Sequence, residues 1–162
     1  RADDIFTAIR IAKEFKVRLT IEHCTDGHLI ADELAREGYP VAIGPSWMSI
    51  SKPEVRNRTF ATPGILAKAG CQVSIITDSE VVPQEHLAIM AALAIKAGMT
   101  PFAALQSITI NPARHIGVEE RVGSLEDGKD ADIILSKGSI FELDSKIVSV
   151  FINGQPVPGT VP

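Results

Sequence analysis

The stretch LTIEHCTDGH, Leu19 to His28, runs from an alternating apolar pattern directly into side chains that bind metals or carry protons. Apolar residues at every second position from Val17 to Ile21 predict a half-buried strand. His23 stands at the carboxyl end of that strand, and a helical pattern follows from His28 to Glu37. The fold therefore depends on which segments pair with this strand. The function depends on which side chains lie near His23.

The order of strand, loop and helix repeats along the first 120 residues of the chain. The other predicted strands are Val41 to Ile43 and Val73 to Thr77. Helices are predicted at Asp3 to Phe15, from Thr62, the expected N-cap before Pro63, to Gly70, at Gln84 to Ala97, and starting with Thr100–Pro101 and Asn111–Pro112. This alternation is typical of a parallel sheet covered by helices. Right-handed crossovers place all strand ends at one edge, where ligands bind in such folds.

His23 and Asp78 each end a predicted strand, so both are expected at the same edge of the sheet. An imidazole and a carboxylate together suit a divalent metal or an acid/base pair. Two ligands are too few for a catalytic zinc, which needs about three. A hydrogen-bonded structural histidine and a helix-capping aspartate are the alternatives; capping by Asp78 is weakened because the next helix begins only at Pro83.

Other candidate residues remain open on pattern alone. His28 suits either a ligand role or an exposed first turn of a helix, and Trp47 either walls a pocket or packs under its loop. We expect Cys24 to be a buried structural thiol, and His86 and His115 to have surface or packing roles. Neither a glycine-rich phosphate loop nor a nucleophile elbow occurs in the sequence.

Composition limits the class of protein. A formal net charge of −4 with mixed signs provides no basic stripe, so nucleic acid and anionic membranes are poor partners. No apolar run approaches the ~20 residues of a membrane span. Only two cysteines occur, Cys24 and Cys71, which indicates a reducing compartment and a cytoplasmic protein. Because Arg1 opens almost directly onto a helical pattern without an initiating methionine, we expect a piece of a longer protein.

From Val122 the pattern changes to short strands and turns. VGSLEDGKDADIIL (Val122 to Leu135) and KIVSVFINGQPV (Lys146 to Val157) have no long helix between them, which predicts antiparallel pairing. We therefore predict two parts, residues 1–120 and a small β segment at 121–162.

Taken together, these stretches resemble the metal-dependent amidohydrolases, in the branch similar to imidazolonepropionase. VGSLEDGKDADIIL resembles the segment by which these enzymes leave their barrel and enter a small β-sandwich. VFINGQPV resembles the strand that closes the sandwich, and TINPARHIGV resembles the turn that precedes it. The resemblance implies an α/β fold, the C-terminal part of a (β/α)8 TIM-type barrel with a β-sandwich tail.

The resemblance also implies roles for individual residues. His23 resembles the metal-ligand histidine that ends the sixth strand. Asp78 resembles the eighth-strand aspartate that binds metal and handles the proton of the attacking water. His28 resembles a histidine often seen just after the sixth strand, and we assign His28 and Trp47 to substrate binding. The ligands that the family carries on its first, fourth and fifth strands have no counterpart here.

Two hypotheses follow. In the first, the chain is the C-terminal portion of a metal-dependent hydrolase that cleaves a cyclic amide or other non-peptide C–N bond with a metal-activated water. The metal would be zinc, or alternatively iron, manganese or nickel, and the partners would be a small-molecule amide and either a homo-oligomer or the missing N-terminal half. In the second, the chain is a non-catalytic half-barrel module for binding or oligomerisation.

Overall fold

The computed structural model describes residues 1–159, so the last three residues of the predicted β segment lie outside the described part. The elements are α1 (Ala2–Phe15), α2 (Ala31–Glu37), β1 (Val41–Ile43), α3 (Thr62–Ala69), β2 (Val73–Ile75), α4 (Leu87–Lys96), α5 (Pro101–Ser107), α6 (Ile110–Ile116), β3 (Ile133–Lys137), β4 (Lys146–Ile152) and β5 (Gln155–Pro156). Short 3-10 turns lie at Gly27–Leu29, Pro53–Val55 and Gln84–His86.

The predicted parallel sheet is present, but its first strand is much shorter than expected. β1 and β2 pair in parallel, with Val41 opposite Val73. The strand predicted from Val17 to Ile21 is reduced to a single parallel bridge between Ile21 and Val41. Val17 is 55% exposed, and no second neighbour flanks this edge within residues 1–159. A single bridge to one neighbour is too short to define a strand.

Two predicted helix starts are also corrected. The helix expected from His28 begins only at Ala31, because Ile30 has non-helical dihedrals of −134° and 31° that separate the Gly27–Leu29 turn from α2. Thr62, expected to cap α3, is its first helical residue, and no side-chain cap is made there. The helix start predicted at Thr100–Pro101 is confirmed, and the Thr100 hydroxyl caps this helix by accepting from the Ala103 amide at 3.2 Å.

The helices cover the parallel strands and bury two apolar clusters. Both strands are buried at all three positions, and Leu66 of α3 is fully buried. The first cluster joins α1, α2, α3 and the sheet; the second joins β2, α4 and α5. The packed core thus lies behind the strand ends and holds them in place.

The antiparallel pairing predicted after Val122 is confirmed. β3, β4 and β5 form a three-stranded sheet in sequence order, with a register shift between Leu135 and Ser136. Many of its apolar side chains remain in solvent, Ile134 at 61% and Ile152 at 56% exposure. None of the helices in residues 1–159 is both long and apolar enough to cross a membrane.

Candidate active site

His23 lies in a sharp turn directly after the Ile21 bridge. Its backbone has φ 63°, and that of Cys24 has φ 41°, so the chain reverses here in the left-handed region. The Nδ1–H group of His23 donates a hydrogen bond of 2.7 Å to the carbonyl oxygen of Gly44. Because that carbonyl can only accept, the bond leaves the Nε2 lone pair available. Such a backbone bond on the second ring nitrogen is the usual support of a metal-ligating histidine.

Gly44, which supplies that carbonyl, allows no side chain. Its φ is 144°, and a Cβ atom there would lie only 2.0 Å from the Ile76 carbonyl oxygen. The close approach seats the loop after β1 directly against the end of β2. The hydrogen-bond acceptor that orients His23 is therefore fixed by the sheet itself.

Asp78 lies in an equivalent turn after β2. Its φ is 50°, and its carbonyl oxygen accepts from the Val81 amide at 2.7 Å. Thr77 before it is buried, whereas the Asp78 side chain is exposed. Within residues 1–159 no hydrogen bond or ion pair engages this carboxylate, so it remains free to bind a metal or accept a proton.

His23 and Asp78 line one cavity of about 560 Å³, as the parallel strand order predicts. Met48 and Arg58 of the loop after β1 and Glu22 line the same cavity. We refer to it as the rim cavity. The structure thus brings together the imidazole and the carboxylate that the sequence suggested, although their roles as ligands stay predictions.

His28 and Trp47 do not line the rim cavity. The half-buried His28 ring places Nδ1 at 3.0 Å from the Thr62 hydroxyl. Trp47 is 51% exposed, and its ring lies 6.5 Å from that of His86. Their assignment to substrate binding therefore stays a prediction.

The donor atoms present fit part of a metal site. Imidazole nitrogen and carboxylate oxygen both suit a divalent ion such as zinc. Across the described residues, however, no three His, Cys, Asp or Glu side chains come close enough together to hold one. His23 and Asp78 could supply two ligands of such a site.

Asp26 is a residue of this region that sequence reasoning missed. It is only 8% exposed, and its carboxylate accepts from the Ala2 amide at 3.2 Å and from Asn57 Nδ2 at 3.0 Å. Burial would raise the pKa of Asp26, but the hydrogen bonds from Asn57 and Ala2 hold it below its ordinary value. The Asp-Gly pair marked a turn, but nothing in the sequence pointed to Asn57.

Two further groups lie close to the His23 turn. The His115 ring, with its side chain 9% exposed, donates from Nε2 to Glu22 at 2.7 Å and so ties α6 to the residue before His23. The prediction that Cys24 is a buried thiol is confirmed at 3% exposure. Burial raises its pKa to about 12, so the thiol is neutral near pH 7.

The fold and this cavity define an α/β protein whose parallel strand ends present an imidazole and a carboxylate to a common cavity. A model of the Amidohydrolase family matches residues 4–157. The chain therefore belongs to the amidohydrolase family, and the family predicted from the sequence is confirmed. The narrower resemblance to imidazolonepropionase stays a prediction.

Similar proteins span more than this chain. An amidohydrolase from Thermotoga maritima superposes with a TM-score of 0.93 at 40% identity, over 97% of this chain and 41% of that one. Adenine deaminase 1 of Latilactobacillus sakei is 32% identical over 142 residues, 85% of this chain and 23% of its own length. Amidohydrolase tasK of Hapsidospora irregularis is 28% identical over 144 residues, 87% of this chain and 15% of its own length. The chain thus spans less than half of the proteins it matches.

Proposed function

We propose that this chain is the C-terminal portion of a metal-dependent amidohydrolase that hydrolyses a C–N bond of a small molecule, a cyclic amide or another non-peptide C–N bond. The observation that supports it is the shared wall of the rim cavity, where His23 and Asp78 lie together. Residues 1–120 would form the last strands and helices of a (β/α)8 barrel, and the residues after them part of a β-sandwich. The remaining metal ligands would come from the N-terminal half.

In this proposal each residue has a separate task. His23 would bind the metal through Nε2, with Gly44 holding the ring. Asp78 would be both a ligand and the base that takes the proton from the attacking water. A divalent ion, zinc or alternatively iron, manganese or nickel, supplies Lewis acidity toward the substrate and the water when bound. Trp47 and His28 are proposed as substrate contacts, Trp47 because its indole is exposed and the next residue, Met48, lines the rim cavity.

The names of the relatives suggest more than one class of C–N bond. Several are named adenine deaminases, which supports hydrolysis of an exocyclic amine beside that of a cyclic amide. A first assay of the full-length protein should therefore include cyclic amides, N-acyl amino acids and aminopurines.

A second candidate function is a half-barrel module that binds or oligomerises without catalysis. The lack of three clustered ligand side chains within residues 1–159 favours it. Elemental analysis of the purified full-length protein separates the two. Stoichiometric zinc, iron, manganese or nickel supports the hydrolase, and its absence supports the module.

The direct test of the mechanism is Asp78→Asn in the full-length protein. Loss of a general base is expected to lower turnover by about 10²–10⁴-fold. The melting temperature should barely move, because the carboxylate is exposed and no hydrogen bond within residues 1–159 holds it. Glu80→Gln is the matched control, an exposed carboxylate two residues away that should leave turnover unchanged. Full activity in Asp78→Asn would rule out the proposed base.

A further inference from the structure

A second, smaller cavity adjoins the rim cavity at His23. It measures about 10 Å³, roughly the room that one water-sized group needs. Its polar side chains are those of His23, Thr25, Ser46, Arg58, Thr59 and Thr62. We call it the Arg58 recess. It contains one guanidinium, several hydroxyls and no carboxylate among the residues that line it, so its chemistry suits an anion.

The guanidinium of Arg58 is held in place but not neutralised. Its Nη1 donates to the Ser49 carbonyl oxygen at 3.3 Å, and its side chain is half-buried. Over residues 1–159 no carboxylate lies within ion-pair distance of it. A guanidinium presents five N–H donors in a planar fork, and one bond to Ser49 leaves donors for a second partner.

The backbone beside Arg58 is anchored by buried contacts. Asn57 donates to the buried carboxylate of Asp26, and the Arg58 amide donates to the Val55 carbonyl oxygen at 3.1 Å. Asp26 lies three residues after His23, so the loop that carries Arg58 and the turn that carries His23 are tied together. A charge held this way beside the reactive groups is placed to orient a ligand.

Resting on the proposed function, we infer that the Arg58 recess binds an anionic group of the substrate, and that the substrate is an amide with a free carboxylate close to its C–N bond. A carboxylate oxygen fits the size of the recess, and the charged fork of Arg58 recognises it. Because His23 lines both cavities, the remainder of such a molecule extends into the rim cavity, where Asp78 lies.

The test measures binding to the full-length protein by isothermal titration calorimetry. The probes are N-acetyl-L-alanine and N-acetyl-L-alaninamide, which differ in whether the terminal group is charged. The carboxylate is expected to bind about tenfold tighter or better, the factor of one charge-assisted hydrogen bond. Arg58→Gln should bring the two affinities within about twofold of each other. Arg58→Lys, which keeps the charge and loses the fork, should retain an intermediate preference.

Arg56→Gln is the matched control, an exposed cation two residues away that lines neither cavity. It should leave the preference for the carboxylate unchanged. Equal affinities in the parent protein, a preference that survives Arg58→Gln, or an equal loss in Arg56→Gln would each overturn the inference. Circular dichroism confirms folding, and Arg58→Lys decides the matter if Arg58→Gln does not fold.

Binding and turnover separate this inference from the proposed function. Arg58-dependent binding of N-acetyl-L-alanine, without cleavage of any amide or amine in the assay panel, would support anion binding in the Arg58 recess. It would contradict the proposed hydrolase function. Hydrolysis that Asp78→Asn abolishes, with no preference for the charged probe, would support the proposed hydrolase function. It would contradict anion binding in the Arg58 recess.

Discussion

The parallel and the antiparallel sheets of this chain use similar apolar residues, yet only the first buries them. Val41 and Val73 of the parallel pair are 0% and 1% exposed. In the antiparallel region Ile134 is 61% exposed, and Leu143 between β3 and β4 is 92% exposed. Among residues 1–159, the buried apolar side chains end at Ala113.

The difference shows that strand pairing and stability have separate sources. Backbone hydrogen bonds are enough to align β3 and β4, but a sheet gains stability when another layer covers its apolar face. Helices α1 to α5 provide that layer for β1 and β2. No comparable layer covers the antiparallel sheet within the part of the chain that the structure describes. We propose that residues 121–159 depend on contacts outside that part.

The largest difference between the two regions is expected when one leucine is removed from each. Leu66→Ala, at a fully buried site, is expected to cost about 2–5 kcal/mol of unfolding free energy because it leaves a cavity. Leu143→Ala should change it by less than about 0.5 kcal/mol. Urea unfolding followed by circular dichroism measures both. Similar losses in the two variants would mean that Leu143 is covered in solution.

A substitution of Asp26 tests whether polar side chains, like apolar ones, contribute more stability where they are buried. At neutral pH Asp26→Asn should cost about 1–3 kcal/mol, since it disturbs two hydrogen bonds to a buried carboxylate. The exposed Asp144→Asn should cost almost nothing. Swapping the pair, Asp26→Asn with Asn57→Asp, restores a donor and an acceptor and should recover part of the loss.

The pH dependence of that effect has a definite sign. The pKa of folded Asp26 lies below its ordinary value of 3.8, mainly because hydrogen bonds from Asn57 and Ala2 outweigh the effect of burial. Its contribution is therefore fully present above about pH 4 and is lost as the pH falls through the folded pKa. Urea unfolding from pH 7 to pH 2 should show the parent converging on Asp26→Asn. A constant gap across that range would contradict the assignment.

The smallest expected effect lies in the antiparallel sheet. Ile134→Thr keeps a β-branched side chain but removes exposed apolar surface. Unfolding free energy should change by less than about 0.5 kcal/mol, while binding of the dye ANS should fall. Lys137→Thr, on the same strand, is the control for ANS binding. A core-sized loss of stability in Ile134→Thr would show that this face is packed.

Features set by neighbouring residues could be predicted from the sequence. Helix α5 and its Thr100 cap follow from local pattern, and β1 from its short apolar run. The shared cavity of His23 and Asp78 followed from a rule of topology, because parallel strands end at one edge. Each of these needs only a few adjacent residues or a single general rule.

Features that depend on distant partners could not be predicted. Thr62 is the first residue of α3 rather than its cap, and its hydroxyl meets His28, 34 positions away. Asp26 finds Asn57 across 31 positions, and no periodicity links the two. The strand predicted before His23 is short for a related reason, because Ile21 is the one residue of this stretch that pairs with a neighbour, Val41, among residues 1–159.

Gly44 joins the architecture of the sheet to the chemistry of the site through a single backbone unit. Its α-carbon must stay bare against Ile76, and its carbonyl oxygen decides which nitrogen of His23 keeps a proton. A library intended to redirect selectivity should therefore leave position 44 untouched and vary positions 46–51, where replacements can reshape the entrance without retuning the imidazole.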